Sequence, residues 1–454
     1  MEMNSDVLVV GAGTAGLYFA GLMAKQGYRV VVIDRAPEEE LGNRYTVIHV
    51  GQDNFARFGL PEPKPGDPDY VTIFHESVLL SALNRWKKHY SGSVIVLRQA
   101  LLRKRMVTWA KAQGAQLICG TSFEKPLFNA QGKLAGAVFK GLDGELRVNA
   151  RLSVDASGIP AVLRTSLPDN YGADNFKLSE RDKSFVVLRY VTLKDPVKDR
   201  VDCVTTWAHF RIWVSPQHVG EGVIVGVGTN LSFDYADRYY QRFLKKGYLP
   251  EFTVDSVERC QNTKHRPPYS FVADGFLTVG DSACITNPGT GEGVPYAWHL
   301  AAIAAEEFGR AMKDGGIPAR ESVWNVNARY AATQGAPYAS IFATRIGVND
   351  CSEEENDYEF KHGIFYKDDT DKGNLTFNII MGLLSGGLSF KTVRKLFASI
   401  RVGKQIFKHY QEFPKSPAGF DAWKDEADRL WALAGNTADQ ADRDLAKMNQ
   451  EGGV

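Results

Sequence analysis

The sequence predicts a mixed α/β plus α+β architecture: a nucleotide-binding domain on a parallel sheet, an inserted antiparallel sheet, and a helical C-terminal segment. Three observations predict it. Near the N-terminus an apolar run, a glycine turn, an apolar-periodic helix and a second apolar run follow one another. In the middle of the chain that alternation gives way to short β-rich runs, and beyond residue 330 the pattern is mostly helical. At 454 residues and 44% hydrophobic composition the chain is too long for one compact core, so two or three domains sharing an interface are expected.

Residues 6–35 read D-V-L-V-V-G-A-G-T-A-G-L-Y-F-A-G-L-M-A-K-Q-G-Y-R-V-V-V-I-D-R. Strand, tight turn, helix and strand in that order make a βαβ unit of Rossmann type. Gly11 permits the turn, Gly13 lets the backbone approach a pyrophosphate, and Gly16 lets the helix pack closely on the strand, with Ala15 between them. The helix N-terminus offers unpaired N–H groups and positive dipole to phosphates. Asp34 closes the second strand where a carboxylate can accept ribose hydroxyl protons, and Arg35 follows it. These residues predict a dinucleotide site without choosing between FAD and NAD(P).

Two later segments make that choice. Residues 151–164 read R-L-S-V-D-A-S-G-I-P-A-V-L-R, and residues 275–299 read G-F-L-T-V-G-D-S-A-C-I-T-N-P-G-T-G-E-G-V-P-Y-A-W-H. The first resembles the D-A-S/D-G segment of flavoprotein hydroxylases and reductases, with Asp155 and Gly158 in the matching places. The second resembles their G-D-x-A…P…G-x-G segment, supplied here by Gly280, Asp281, Pro288, Gly291 and Gly293. The resemblance implies FAD as cofactor, Asp281 on the ribityl chain, and residues 287–293 against the flavin ring. Small residues there leave room for a planar ring, and they lead into a helix expected from about Glu292 to Glu307. A helix N-terminus facing the ring would stabilise the negative charge of the reduced flavin. Glu292 is then a proton donor or hydrogen-bond partner beside the ring, or only a first-turn acid favoured by the dipole.

Residues 98–118 resemble the family segment in which an arginine precedes a helix and a strand, and Arg98 takes that arginine's place against the cofactor. The family's usual aspartate after it is absent, Leu102 standing near the position. Residues 184–196, 201–214 and 222–229 predict an antiparallel sheet, which the resemblance implies forms the substrate cavity, with Trp207, His209 and Trp213 as candidate wall residues or plain core. The run from Phe210 to Gly228 resembles the W-x-x-P…G-x-x-x-G-x-G stretch of geranylgeranyl reductases, with Trp213 and Pro216 matching, and the W-x-W-x-I-P signature of flavin-dependent halogenases does not occur. Where many prenyl reductases carry a cysteine-glycine pair, this chain has His49 and Gly51. His49 is therefore a candidate catalytic substitute, or a loop histidine with a structural hydrogen bond.

These readings divide the chain into 1–69, 98–165 and 269–335 for the FAD domain, 70–97 and 166–268 for the substrate sheet, and 336–454 for the helical segment. Within the last, residues 375–410 join an apolar stretch to a basic amphipathic helix. Val393, Leu396, Phe397 and Ile400 share one face of it, among Arg394, Lys395, Arg401, Lys404 and Lys408. That pattern fits a helix packed on the FAD domain with a solvated basic side, a peripheral membrane contact, or the wall of a lipid-shaped cavity. The tail from Thr437 is charged and poor in apolar residues.

With 54 Lys and Arg against 53 Asp and Glu, the chain has no electrostatic footprint for nucleic acid. Five scattered cysteines with no C-x-x-C pair predict neither a metal site nor a redox dithiol, and fit a reducing cytoplasm. No signal-peptide pattern precedes Val7, and no apolar run reaches the length of a membrane span. The resemblance implies an FAD-dependent reductase of C=C bonds in an isoprenoid or similarly elongated apolar or lipid substrate. The FAD motifs equally serve a monooxygenase using NAD(P)H and O2, or a dehydrogenase like electron-transfer flavoproteins, although the four-cysteine iron–sulfur segment is missing. With one dinucleotide fingerprint, NAD(P)H is expected only as a transient donor, or a ferredoxin-like protein supplies the electrons.

Overall fold

The structure is a computed structural model that describes residues 1–41, 47–142, 144–194, 203–216, 222–348, 351–369, 371, 373–435 and 446. The tail from Thr437 therefore lies outside the described residues, Ala446 excepted, as do residues 217–221 of the reductase-like run. In chain order the first strands are β1 (Glu2–Val10), β2 (Val30–Ile33), β3 (Val47–Gly51), β4 (Tyr70–Leu80), β5 (Lys87–Arg98), β6 (Gln116–Ile118), β7 (Ser122–Phe128), β8 (Leu134–Gly141) and β9 (Gly144–Asp155). They are followed by β10 (Lys183–Leu193), β11 (Val204–Trp207), β12 (Ile212–Pro216), β13 (Val223–Thr229), β14 (Phe252–Thr263), β15 (Val272–Ala273) and β16 (Phe276–Thr278). The helices that matter below are α1 (Thr14–Lys25), α2 (Gln99–Ala112), α3 (Phe233–Leu244), α4 (Val294–Ala311), α5 (Ala336–Val348), α6 (Leu375–Leu384), α7 (Phe390–Gln411) and α8 (Phe420–Ala434).

Two eight-stranded sheets organise the chain. The first runs β15-β16-β9-β1-β2-β6, with the β7–β8 hairpin joined to the outer part of β9. Its central pairs, β16–β9, β9–β1, β1–β2 and β2–β6, are all parallel. β2 is buried along its whole length, as is the last part of β1, because helices cover this sheet. α1 sits unusually close to it. A Cβ at Gly16 would lie 2.4 Å from the Gly11 carbonyl oxygen and 2.8 Å from the Ala156 Cβ, so glycine alone permits the contact.

The second sheet runs β14-β10-β13-β12-β11-β4-β5-β3 and is antiparallel except at β11–β4. β3 falls in the 1–69 segment read as nucleotide domain, yet it pairs with β5 at the edge of this second sheet. Strand alternation gives the sheet two apolar faces. Val187, Val191, Ile212, Val214 and Val225 turn toward α3, packing on Tyr240 and Phe243. Val186, Leu188, Phe74, Ile224 and Trp213 turn the other way. Trp207 belongs to the α3 face: it is fully buried against Phe243, and its Nε1 donates to Asn84 Oδ1 at 3.3 Å.

The C-terminal helices form a third cluster in which Tyr338 and Phe342 of α5 meet Ile406 and Tyr410 of α7 and Trp423 and Trp431 of α8. α5 and α7 approach closely at Gly403, where a Cβ would lie 2.2 Å from Thr344 Oγ1. Of the proposed amphipathic face, Val393 and Leu396 are buried, whereas Phe397 remains exposed. Because Trp207 fills the α3 side of the second sheet, Trp207→Ala should lower stability by about 3–5 kcal/mol. A lower urea midpoint, with the flavin absorption spectrum unchanged, is the expected result.

Candidate functional site

The two sheets enclose one continuous cavity of about 1270 Å3, and it begins at the first glycine turn. Gly11 sits at φ +108°, and a Cβ there would lie 2.3 Å from the Ala156 carbonyl oxygen, so the turn is pressed against the end of β9. Gly13 caps α1 without a side-chain hydrogen bond, and no acid stands in the first turn. The helix thus presents bare N–H groups to the cavity, where Gly13, Thr14 and Ala15 line the wall. Asp34 is locked beside them: Oδ2 accepts the Ala12 N–H at 2.7 Å and Oδ1 accepts the Ala36 N–H at 2.9 Å. Its remaining lone pairs and the neighbouring Arg35 face the same space.

Asp155 does not line the cavity. It is fully buried and works as a brace, its Oδ1 accepting the Ser157 N–H at 3.0 Å and hydroxyl at 2.7 Å, its Oδ2 accepting the Arg164 N–H at 2.7 Å. Burial pushes its pKa up, against the pull of those bonds and of the Arg164 charge. Arg164, equally buried, donates from Nε to the Ser282 carbonyl and from Nη1 to the carbonyls of Asp174 and Phe176, all at 2.9 Å. Ser282 Oγ in turn donates to the Asp155 carbonyl at 2.7 Å. This closed circuit fixes the Asp155–Gly158 and Gly280–Asp281 turns to each other, and Gly158, Gly280 and Asp281 line the cavity between them.

The next wall is the loop 287–293. Asn287 Oδ1 accepts the Gly289 N–H at 2.7 Å, and the Asn287 carbonyl accepts the Gly291 N–H at 2.8 Å. Arg345 of α5 donates from Nη1 to the carbonyls of Pro288 at 2.7 Å and Gly289 at 2.6 Å, so a cation from a distant helix holds the loop. Pro288, Gly291 and Gly293 all line the cavity. α4 begins at Val294, with Gly293 as an uncapped N-cap and Pro295 in its first turn. Glu292 therefore precedes the helix and is not a first-turn acid. Its Oε2 accepts the Thr290 hydroxyl at 3.1 Å, and burial raises its pKa above the ordinary carboxylate value.

Beyond the loop lies the apolar face of the second sheet, with Phe74, Val186, Leu188 and Trp213. Gly226 makes room for that tryptophan, since a Cβ there would lie 2.1 Å from Trp213 Cε2. His49 stands on β3 at the same wall, edge-on to Phe74. Its Nε2 is enclosed and has no hydrogen-bond partner among the described residues. Burial lowers its pKa to about 4, so the ring is neutral near pH 7. Ser215 Oγ and Asn230 Nδ2, also on the cavity wall, are likewise buried and have no partner among the described residues. Polar atoms left unpaired around one space, together with two uncapped helix N-termini, fit a ligand that carries both phosphate and polar ring edges.

Several sequence expectations place differently. Arg98 is exposed outside the cavity and donates to the Pro68 carbonyl at 3.2 Å, while Arg103, one turn further along α2, lines the cavity and donates to the Ala12 carbonyl at 3.0 Å. Gly16 serves the packing of α1 and does not reach the lining. Trp207 and His209 are absent from the wall, because β11 pairs Thr206, not Trp207, opposite Trp213 and so turns Trp207 to the far face. Arg345, Tyr338 and Tyr366 line the cavity without any signal in the motifs, coming from a helix and a loop far along the chain, whereas Arg103 lies within the 98–118 segment but past the position read as its arginine.

Comparison with known proteins places this geometry. The FAD binding domain family model matches residues 4–299. The digeranylgeranylglycerophospholipid reductase of Sulfolobus acidocaldarius is 25% identical over 453 residues, covering 94% of this chain and 98% of the relative. That of Haloferax volcanii is 26% identical over 339 residues, covering 69% and 77%. Among solved structures, a geranylgeranyl bacteriochlorophyll reductase-like protein from Thermoplasma acidophilum superposes with a TM-score of 0.72 at 15% identity, over 89% of this chain and 100% of that one. The myxobacterial chondrochloren halogenase shares the fold at 0.57 and 15% identity, over 88% and 97%.

Two outcomes follow from the site. Asp281→Ala should weaken FAD retention by about 10- to 100-fold, read as flavin absorbance per protein after dialysis. His49 is protonated in the unfolded chain below its ordinary pKa of 6.5 but in the folded chain only below about 4, so the stability present above pH 6.5 is lost as pH falls toward 4. His49→Asn should therefore lose less melting temperature than the wild type between about pH 7 and about pH 5.

Proposed function

The chain belongs to the FAD-binding domain family, and from that premise we propose that this FAD-dependent oxidoreductase reduces carbon–carbon double bonds in an elongated apolar substrate of isoprenoid type. The observation that carries the reading is continuity: the glycine-lined dinucleotide cradle and the apolar face of the second sheet open into one cavity. Its volume of about 1270 Å3 exceeds that of an ordinary small-ligand pocket, roughly 300–1000 Å3, and so leaves space for a second molecule beside the dinucleotide. The names of the reductases from Sulfolobus and Haloferax support the substrate class.

When bound, FAD supplies hydride chemistry at its ring. The chain's own residues do the rest. The bare N-terminus of α1, Asp34 and Arg103 bind the dinucleotide end; Asp281 and the loop held by Arg345 position the ring end; Phe74, Val186, Leu188 and Trp213 exclude water and align an apolar chain. Reducing an alkene also requires a proton, and Glu292 is the better placed donor. Its burial keeps the carboxyl protonated to higher pH, and the Thr290 hydroxyl holds the side chain by a bond to Oε2. His49, neutral above about pH 4, carries no proton charge to give at neutral pH and serves through the hydrogen-bonding capacity of Nε2. Electrons reach the flavin from NAD(P)H bound transiently or from a ferredoxin-like protein.

The test is anaerobic. The flavin is reduced with dithionite, then geranylgeranyl lipids or oxygen are added separately, and return of the oxidised spectrum with the alkene alone is expected. Reoxidation by oxygen only would replace this reading with a monooxygenase. Glu292→Gln should slow alkene-dependent reoxidation by about 10²- to 10⁴-fold with FAD content unchanged. The wild-type rate should fall as pH rises through the raised pKa of Glu292, because only its acid form donates, and the variant should lose that dependence.

A further inference from the structure

The apolar side chains exposed on the molecule are not evenly scattered. Phe377, Ile380, Met381, Leu383, Leu384, Phe390 and Phe397 all fall on α6 and the first half of α7. Three of them project rather than line a groove, Phe377 being 61%, Leu384 73% and Phe390 69% exposed. They are not the core of the helix pair. That role belongs to Ile379, Leu388, Val393 and Leu396, buried with Ile364. The outward residues are thus free of structural duty, and a patch of this kind marks an interaction surface.

Charge selects the occupant. Residues 375–411 contain six Lys and Arg and no Asp or Glu, and Lys391, Arg394, Arg401 and Lys404 are all exposed. Glu355, which packs against the tip, is committed: its Oε1 accepts the Ser389 N–H at 2.8 Å, and its Oε2 accepts the Ser352 N–H at 2.9 Å. Part of the tip's backbone is also satisfied internally. Asn374 Oδ1 caps α6 through the Phe377 N–H, Ser389 Oγ caps α7 through the Thr392 N–H, and the Leu388 N–H closes on the Gly382 carbonyl at 2.9 Å. These bonds reduce the donors that a tip entering an apolar medium would strand there. No described helix is long and apolar enough to cross a membrane, so the contact is a surface one.

We propose that the α6–α7 tip is a docking surface for an anionic lipid bilayer, with Phe377, Leu384 and Phe390 inserted at the headgroup boundary and the basic residues of α7 against the anionic headgroups. The tip is joined to the cavity wall on two sides. α7 packs directly on α5, which carries Phe342 and Arg345, and the chain entering α6 carries Tyr366. Docking is a binding property, so it stands or falls apart from the proposed reaction.

The test is flotation of the full-length FAD-loaded protein with vesicles of phosphatidylcholine alone and of phosphatidylcholine mixed with phosphatidylglycerol. The protein should float with the mixed vesicles and far less with the neutral ones, the difference shrinking at high salt. Leu384→Ser combined with Phe390→Ser should reduce the partition about tenfold or more, and Lys391→Glu with Arg394→Glu should abolish the preference for anionic vesicles. Unchanged flavin content and circular dichroism verify that the variants fold. Failure of the wild type to float, or equal flotation of wild type and variants, overturns the proposal. So does a change of the serine variant from dimer to monomer in sedimentation with flotation unaffected, which makes the patch a self-association surface.

Discussion

The buried circuit of Asp155, Arg164 and Ser282 is the constraint on which the cavity depends. Each member satisfies groups that have no access to water: the carboxylate takes up three donors, the guanidinium reaches carbonyls on two separate segments, and the hydroxyl returns to β9. Removing one partner would leave the others uncompensated in a medium where an unpaired charge is costly. Because the circuit joins the end of β9 to the turn after β16, the two cofactor-facing turns cannot move independently. The sequence motif around Asp155 therefore marks an architectural brace, with the cavity contact delegated to Gly158.

Around that brace the two sheets divide the work. The parallel sheet presents helix N-termini and a carboxylate, features that suit phosphate and ribose, while the second sheet presents an apolar face. The loop 287–293 lies where they meet, and Arg345 pins it from outside both sheets. The C-terminal helices are thus part of the site, although the family match ends at residue 299.

What was legible in the sequence was local. The βαβ unit, the glycine turns and the Gly280–Gly293 segment each carry their geometry within a short stretch, because backbone positions that exclude a Cβ leave glycines as a record. The second sheet was legible as a sheet, but its faces were not. Whether Trp207 or Trp213 meets the cavity depends on a one-residue register set by β11 pairing with β12, and aromatic content is the same either way. Arg98 and Arg103 illustrate a related limit: both precede or begin the same helix, and only the packing of α2 against the first turn decides which one reaches the cavity. Arg345 and Tyr366 left no motif, since their roles arise from a helix and a loop that fold back across the whole domain.

The contact between Trp213 and Gly226 sets the width of the cavity at its apolar wall. The indole lies flat along β13 only because position 226 has no side chain, and both residues face the cavity side of the sheet. Any larger residue at 226 must lift the ring away from the strand and into the lumen. Position 226 therefore sets how far the indole stands from the strand, and a side chain there would narrow the cavity at its apolar wall.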